Sequence, residues 1–325
     1  MPETAPGLWH PLRDAAVRDL AWLLDSHDLF GPAPGVVPAT PWAIRGLQTW
    51  ARDWFAELDR APAALHDVLD AARPTRLGRY AELLLGFFLE HAEGLTLLAA
   101  NLPLRSHGRT LGECDYLIET AQGVREHWEL AVKCYVCAPH EGMTQLADFV
   151  GPGLADRLDH KYRHMVGHQL RLTEHEAFAS LELPGPWQPR MFVKGWLFYR
   201  DGMAAPGPDQ LDAAHGRGFW VTREAWPAWA ARHGSHILWS VLPRLTWLAP
   251  RYLGMEAAPD ADTWQVPAVQ APQPAETLSA FWAERTMTTM VAGFERDAAG
   301  GWQETTRGFI VPDGWVERAA SYARG

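Results

Sequence analysis

The segment from His127 to Cys137 constrains this chain more than any other. Its even positions, Trp128, Leu130, Val132, Cys134 and Val136, are all apolar, while its odd positions are His127, Glu129, Ala131, Lys133 and Tyr135. Side chains alternate across a strand, so this pattern predicts one face in the core and an opposite face carrying Glu129 and Lys133. A second strand-like segment, Gly112 to Glu119, precedes it, with Gly123 in the turn between. There Glu113, Asp115, Leu117 and Glu119 share a face opposite Cys114, Tyr116 and Ile118. A hairpin centred on Gln122 sets Asp115 directly across from Glu129. One centred on Gly123 sets it across from Ala131, with Glu129 and Lys133 on the diagonals. Opposite Cβ atoms lie about 5 Å apart and diagonal ones about 7–8 Å. Either register brings two carboxylates and one ammonium to a common patch. The carboxylates repel, a bound cation removes that cost, and an all-oxygen donor set favours Mg²⁺ (or Mn²⁺) over zinc.

The flanking elements predict a mixed α/β core. Leu77 to His91 reads as a largely apolar helix through Tyr80, Leu83, Leu84, Phe87 and Phe88. Glu82 shares a face with Leu85 and Leu89, and Arg79 one turn earlier is its ordinary partner. Leu95 to Arg105 reads as a strand, Leu154 to Thr173 as a helix and Met191 to Tyr199 as a further strand. Helix, three strands, helix, strand is a unit of about 120 residues, enough for a domain core. Ahead of it, Asp14 to Leu24, Pro41 to Leu58 and Ala61 to Ala72 read as short amphipathic helices, interrupted by the loop at 31–35 and by Pro62. Beyond Asp201 the pattern weakens. We expect a loop at 206–208, a short strand at Phe219 to Val221, a helix from Thr222 to His233 and a strand or Leu-rich helix from Ser235 to Leu248. A Pro- and Ala-rich linker over 259–274, a helix from Ala275 to Met290 and a hairpin turning at Gly300-Gly301 complete the chain. The expected organisation is an N-terminal helical region over 1–75, a core over 76–200 and a C-terminal α+β extension over 201–325.

The helix expected after the third strand offers a surface. Arg157, Lys161, His164, His168 and Arg171 follow a 4-3-4-3 spacing that gathers them on one face, and Gln169 falls in the apolar stripe where it could point into the site. Contact with phosphates is one reading of the basic face, and a solvated helix surface is the other.

Composition bounds the function classes. The net charge of −10 argues against coating nucleic acid through bulk electrostatics but leaves room for a local basic groove. The 17 tryptophans fall at positions such as Trp22, Trp50 and Trp54, inside helical patterns, and read as core. No apolar run approaches a membrane span, no signal peptide is visible, and three clustered cysteines build no disulfide framework, so a cytoplasmic setting is expected. Cys134 and Cys137 point to opposite strand faces, and HExxH, GxxxxGK[ST], GxSxG and GxGxxG patterns are missing from the sequence.

Glu82 in a first core helix, then Gly112-Glu113-Cys114-Asp115, then Trp128-Glu129-Leu130-Ala131-Val132-Lys133 followed by a helix, resembles the αβββαβ, restriction-endonuclease-like core of the PD-(D/E)xK nuclease superfamily. More narrowly, it resembles an uncharacterised bacterial family, a domain of unknown function, placed in that superfamily. The resemblance covers roughly residues 76–200, and the tail from Gly301-Trp302 to Val311-Pro312 is also similar to that group. It implies a nucleic-acid substrate, DNA or RNA, with Asp115 and Glu129 as metal ligands, Glu82 as an auxiliary ligand and Lys133 as the residue that orients or activates water. The superfamily spaces its acid and lysine two apart, whereas here that position is Ala131 and Glu129 lies four before Lys133, about 13 Å in a regular strand. A bulge would shorten the gap, and Glu113 is a possible substitute ligand. The leading expectation is therefore a metal-dependent nuclease. The alternatives are a nuclease-like module that binds nucleic acid or a protein partner without cutting, and a hydrolase using the two acids as an acid/base pair.

Overall fold

The structure is a computed structural model that describes residues 7–32, 37–44, 46–203, 207–254, 264–282 and 286–325. Its helices are α1 (Ala15–Asp25), α2 (Leu47–Arg60), α3 (Ala63–Ala72), α4 (Leu77–His91), α5 (Leu158–Gly167), α6 (Trp226–Ala231), α7 (Ala275–Phe281) and α8 (Trp315–Arg324). Its strands are β1 (Leu95–Ser106), β2 (Arg109–Thr120), β3 (Arg125–Cys137), β4 (Phe149–Val150), β5 (Trp187–Arg200), β6 (Gly216–Thr222), β7 (Leu238–Val241), β8 (Tyr252–Leu253), β9 (Thr289–Arg296) and β10 (Trp302–Val311). The class is mixed α/β. The chain forms two compact units, Met1–Val132 with Lys161–Lys194, and Lys133–His160 with Gly195–Gly325.

In the first unit Asp14 organises the helices. Its Oδ1 accepts the amides of Ala16 and Val17 at 3.0 Å, capping α1, and its Oδ2 lies 2.9 Å from His66 Nε2 on α3. Asp59 of α2 accepts the amides of Arg13 and Asp14. The helix α4 buries Tyr80, Ala81, Leu84, Leu85, Phe87, Phe88 and Leu89, and the Tyr80 hydroxyl donates to the fully buried Asp19 at 3.0 Å. Strands β1 and β2 pair antiparallel from Leu95↔Thr120 to Ser106↔Arg109, and β2 pairs with β3 from Glu119↔Arg125 to Tyr116↔Trp128. This is the hairpin register centred on Gln122. Gly123, at φ 75°, takes the left-handed conformation the turn requires. Leu104, Cys114, Leu117, Leu172 and Phe178 form a core cluster of this unit.

The second unit holds a mixed sheet. β5 runs parallel to β6 and β6 parallel to β10, β10 pairs antiparallel with β9, and β9 with β7. The end of β3 pairs with β4, and β8 with β10. Gly195, at φ 146°, is required where β5 passes β3, because a Cβ there would lie 1.7 Å from the Lys133 carbonyl oxygen. Tryptophans fill the core. Trp226, Trp229, Trp239 and Trp282 pack together with Phe219, and Trp220 packs on Trp315. Arg307 is also buried here. Its guanidinium meets both oxygens of Glu304 and donates to the carbonyls of Trp247, Leu248 and Ala249.

Several expected elements are shorter than their sequence pattern. The helix expected over 154–173 is α5 alone, Leu158–Gly167, followed by a 3-10 segment, Gln169–Glu174. Leu154 at φ 53° belongs to the loop before it, and Gly167 weakens its far end. Ser235 to Leu248 yields the short strand β7 and then a 3-10 turn, Arg244–Thr246, because Pro243 cannot donate to a ladder. The helix expected over Ala275 to Met290 ends at Phe281, and Thr289–Arg296 is a strand, held between β10 and β7 by pairing on both sides. The helix α8 was not expected, although Trp315, Ala319 and Ala323 recur every four residues and are buried. Parts of the loops expected at 31–35 and 206–208, of the linker at 259–274 and of the helix at 275–290 lie outside the described residues. Among the described residues no helix is long and apolar enough to cross a membrane.

Candidate functional site

The ladder between β2 and β3 stops at Tyr116↔Trp128, and at the next position side chains take over. The Leu130 amide donates to Asp115 Oδ2 at 2.8 Å, and the Asp115 amide donates to Glu129 Oε1 over a longer 3.4 Å. Each strand thus supplies a carboxylate in place of a backbone carbonyl, which fixes Asp115 and Glu129 close together. Glu129 is fully buried. His127 Nε2 lies 2.7 Å from its Oε1, and Gln169 Nε2 donates to its Oε2 at 2.8 Å. His127 is fully buried too, and its Nδ1 has no hydrogen-bond partner. The face of β3 expected to form an open patch is therefore covered around Glu129. The covering segment is 168–172: His168 Nε2 meets the Leu111 carbonyl oxygen at 2.9 Å, and Leu172 packs so closely on Gly112 that a Cβ there would come within 2.9 Å.

Electrostatics follow from this geometry. Burial and the neighbouring Glu129 charge push the Asp115 carboxyl from 3.8 up to about 8, with Glu82 adding to the rise, while the Leu130 amide and Lys161 oppose it. Lys161 reaches the site through Gln169, its Nζ donating to the Gln169 Oε1 at 2.9 Å. Glu82 is not enclosed: its carboxylate is about one-third exposed and pairs with Arg79 at 3.0 Å, while its backbone carbonyl accepts the Tyr116 hydroxyl. Glu113 is exposed on β2, and the carboxylates that act on Asp115 are Glu129 and Glu82.

The basic residues do not form one helix face. Arg157 precedes α5 and is buried in the second unit, where it grips both oxygens of Asp159 and reaches the carbonyls of Tyr322 and Ala323. The 4-3-4-3 reading fails because the regular helix covers only part of the stretch. Lys161 and His164 lie on α5, whereas His168 and Arg171 lie beyond its end. His164, His168 and Arg171 are exposed, and burial together with the nearby His168 and Lys161 holds the His164 imidazole below its usual value.

Lys133 belongs to the second unit. Its Nζ donates to Asp156 Oδ2 at 2.5 Å, the Tyr135 hydroxyl donates to the same oxygen at 2.9 Å, and Asp156 Oδ1 accepts the Arg157 amide. Burial, with Asp156 adding to it, pushes the Tyr135 hydroxyl well up. Asp156 was not anticipated, since nothing in its spacing marks it. His127 was recognisable, standing two residues before Glu129 on the same strand face.

Among the described residues no group of three or more His, Cys, Asp or Glu side chains is arranged to hold a metal ion. The Asp115–Glu129 pair nonetheless fits a hard cation in donor chemistry. Mg²⁺ keeps several waters and is commonly held by one or two carboxylates plus substrate phosphate, not by a closed protein cage. Comparison with curated proteins and with solved structures returns no match. A model of one protein family, described as a domain of unknown function (DUF1853), matches residues 18–311. That span takes in both compact units and the carboxylate pair, and the chain belongs to the DUF1853 family.

Proposed function

We propose that this chain is a metal-dependent nuclease with a restriction-endonuclease-like core, hydrolysing phosphodiester bonds of nucleic acid at the Asp115–Glu129 pair with Mg²⁺ or Mn²⁺. The observation that carries this reading is the pair of carboxylates held against each other by reciprocal bonds to backbone amides across β2 and β3. A cation bound there would polarise the phosphate and lower the pKa of a water. Asp115 and Glu129 would hold it, and Gln169 and His127 fix the direction of the Glu129 carboxylate. Lys161 offsets negative charge beside the pair, and His164 and His168, which lie close to each other and to Lys161, would meet the phosphates of the strand. The resemblance assigns Lys133 the positioning of the attacking water.

Cleavage of single-stranded DNA, duplex DNA and RNA with Mg²⁺ or Mn²⁺ tests this. Activity lost in EDTA and in Asp115→Ala, and strongly reduced in Lys133→Ala, is expected. Equal activity in the wild type and both variants would sink it. A second reading is a module that binds nucleic acid or a protein partner without cutting. It is favoured by Glu129, whose two oxygens already accept three protein donors, and by Lys133, which is held by Asp156. Salt-sensitive binding without turnover is its signature.

A further inference from the structure

The second unit holds a cavity of about 400 Å³. Arg244 and Arg318 are exposed on it, and among the described residues neither guanidinium is paired with a carboxylate. Its lining includes Trp247, Trp315, Met287 and Thr288, and no acidic side chain among the described residues. In a chain of net charge −10, two uncompensated arginines on one cavity make a local positive site. The apolar part is built with equal definition. Trp315 is anchored by its indole N–H to the Pro152 carbonyl at 2.9 Å, and Thr288 donates to the same oxygen at 3.0 Å. Trp247 is anchored through its N–H to the Leu242 carbonyl, with the Arg244 guanidinium 5.5 Å from its ring centroid. Met287, 74% exposed, stands at the edge as a large apolar side chain facing water.

A ligand for this cavity needs a flat apolar body for the aromatic and thioether surfaces and an anionic group for the arginines. Aromatic faces stack nucleobases whatever their sequence, and guanidinium forks match phosphate oxygens. The volume lies in the range of small-ligand sites. We infer that this cavity binds one nucleotide unit, base against Trp247 and Met287 over a floor closed by the buried Trp315, and phosphate between Arg244 and Arg318, either as a free nucleotide or as part of a strand.

Calorimetric titration of the full chain with AMP, adenosine and inorganic phosphate tests the inference. AMP should bind more tightly than either fragment, and Arg244→Ala and Arg318→Ala should each weaken it about tenfold, one charge-assisted hydrogen bond's worth. Both residues are exposed, so both variants should keep the wild-type melting temperature. A short single-stranded oligonucleotide that displaces AMP identifies the strand as the source, and one that fails to displace it identifies the free nucleotide. Asp115→Ala should leave AMP affinity unchanged, which separates this site from the proposed metal centre. Absence of saturable AMP binding at millimolar concentration, equal affinity for inorganic phosphate alone, or unchanged affinity in both arginine variants overturns it.

Discussion

Replacing Asp115 with asparagine should make the protein more stable while removing its proposed activity. Burial and Glu129 raise the Asp115 carboxyl from 3.8 to about 8, so between those values the folded chain holds a proton that the unfolded chain releases. Stability therefore falls as pH rises from about 4, and the fall is complete once pH passes about 8. The interval of about three pH units between the ordinary carboxylate value and neutrality corresponds to about 4 kcal/mol of destabilisation near pH 7. Asparagine is isosteric, carries no charge, and its oxygen can still accept the Leu130 amide that now meets Asp115 Oδ2 at 2.8 Å. Its amide N–H groups can face Glu129 without repulsion. Asp115→Asn should thus gain about 2–4 kcal/mol near neutral pH, allowing for local relaxation, and should show a flatter stability profile between about pH 5 and 8. Urea unfolding across that range, in EDTA, gives both quantities. A variant less stable than the wild type at the alkaline end, or one with an unchanged pH slope, would refute the electrostatic reasoning.

Other perturbations test the frame around the site. Burial works against the Asp14 carboxylate, but the His66 bond and the Val17 and Ala16 amides outweigh it and hold its pKa down, while the Asp14 bond raises His66. Their shared contribution is present between the ordinary values of the two groups. It is lost as pH falls through the lowered Asp14 value and again as pH rises through the raised His66 value. His66→Gln should cost about 0.5–1 kcal/mol near pH 5–6 and almost nothing above about pH 8, by urea unfolding. Arg307→Met strands Glu304, whose side chain is 2% exposed, and should cost about 3–5 kcal/mol, much of it recovered on adding Glu304→Leu. Gly195→Ala should cost more than about 3 kcal/mol or abolish soluble expression, and a melting temperature within a few degrees of the wild type would contradict the close approach to Lys133.

The hairpin was legible because its signal is local. Alternation in β3 gave the faces, and the turn at Gly123 left two registers of which one is observed. The helix α4 was equally plain, because apolar positions recur at helical spacing from Leu77 to Leu89. What escaped depends on residues distant in sequence. The Asp156 carboxylate reaches Lys133 across 23 positions, and no spacing rule encodes such a meeting. The basic stripe misled because five positions at helical spacing form one face only if one helix spans them, and Gly167 and the 3-10 segment after it break that condition. Gln169 stands out in the sequence as a polar residue in an apolar stripe, but its partner Glu129 lies 40 residues earlier and only the fold reveals the bond. Burial of Glu129 was also beyond the pattern, since alternation separates two faces without saying what covers either.

The pairing of β2 and β3 ends on a rung made of side chains, and a rung of that kind can be withdrawn without unzipping the strands. Anything that draws the two carboxylates toward itself leaves the amides of Asp115 and Leu130 without acceptors. Occupancy by a cation would then be written into the exchange rates of those two protons, far from any product of catalysis, and the hairpin would report its own ligand.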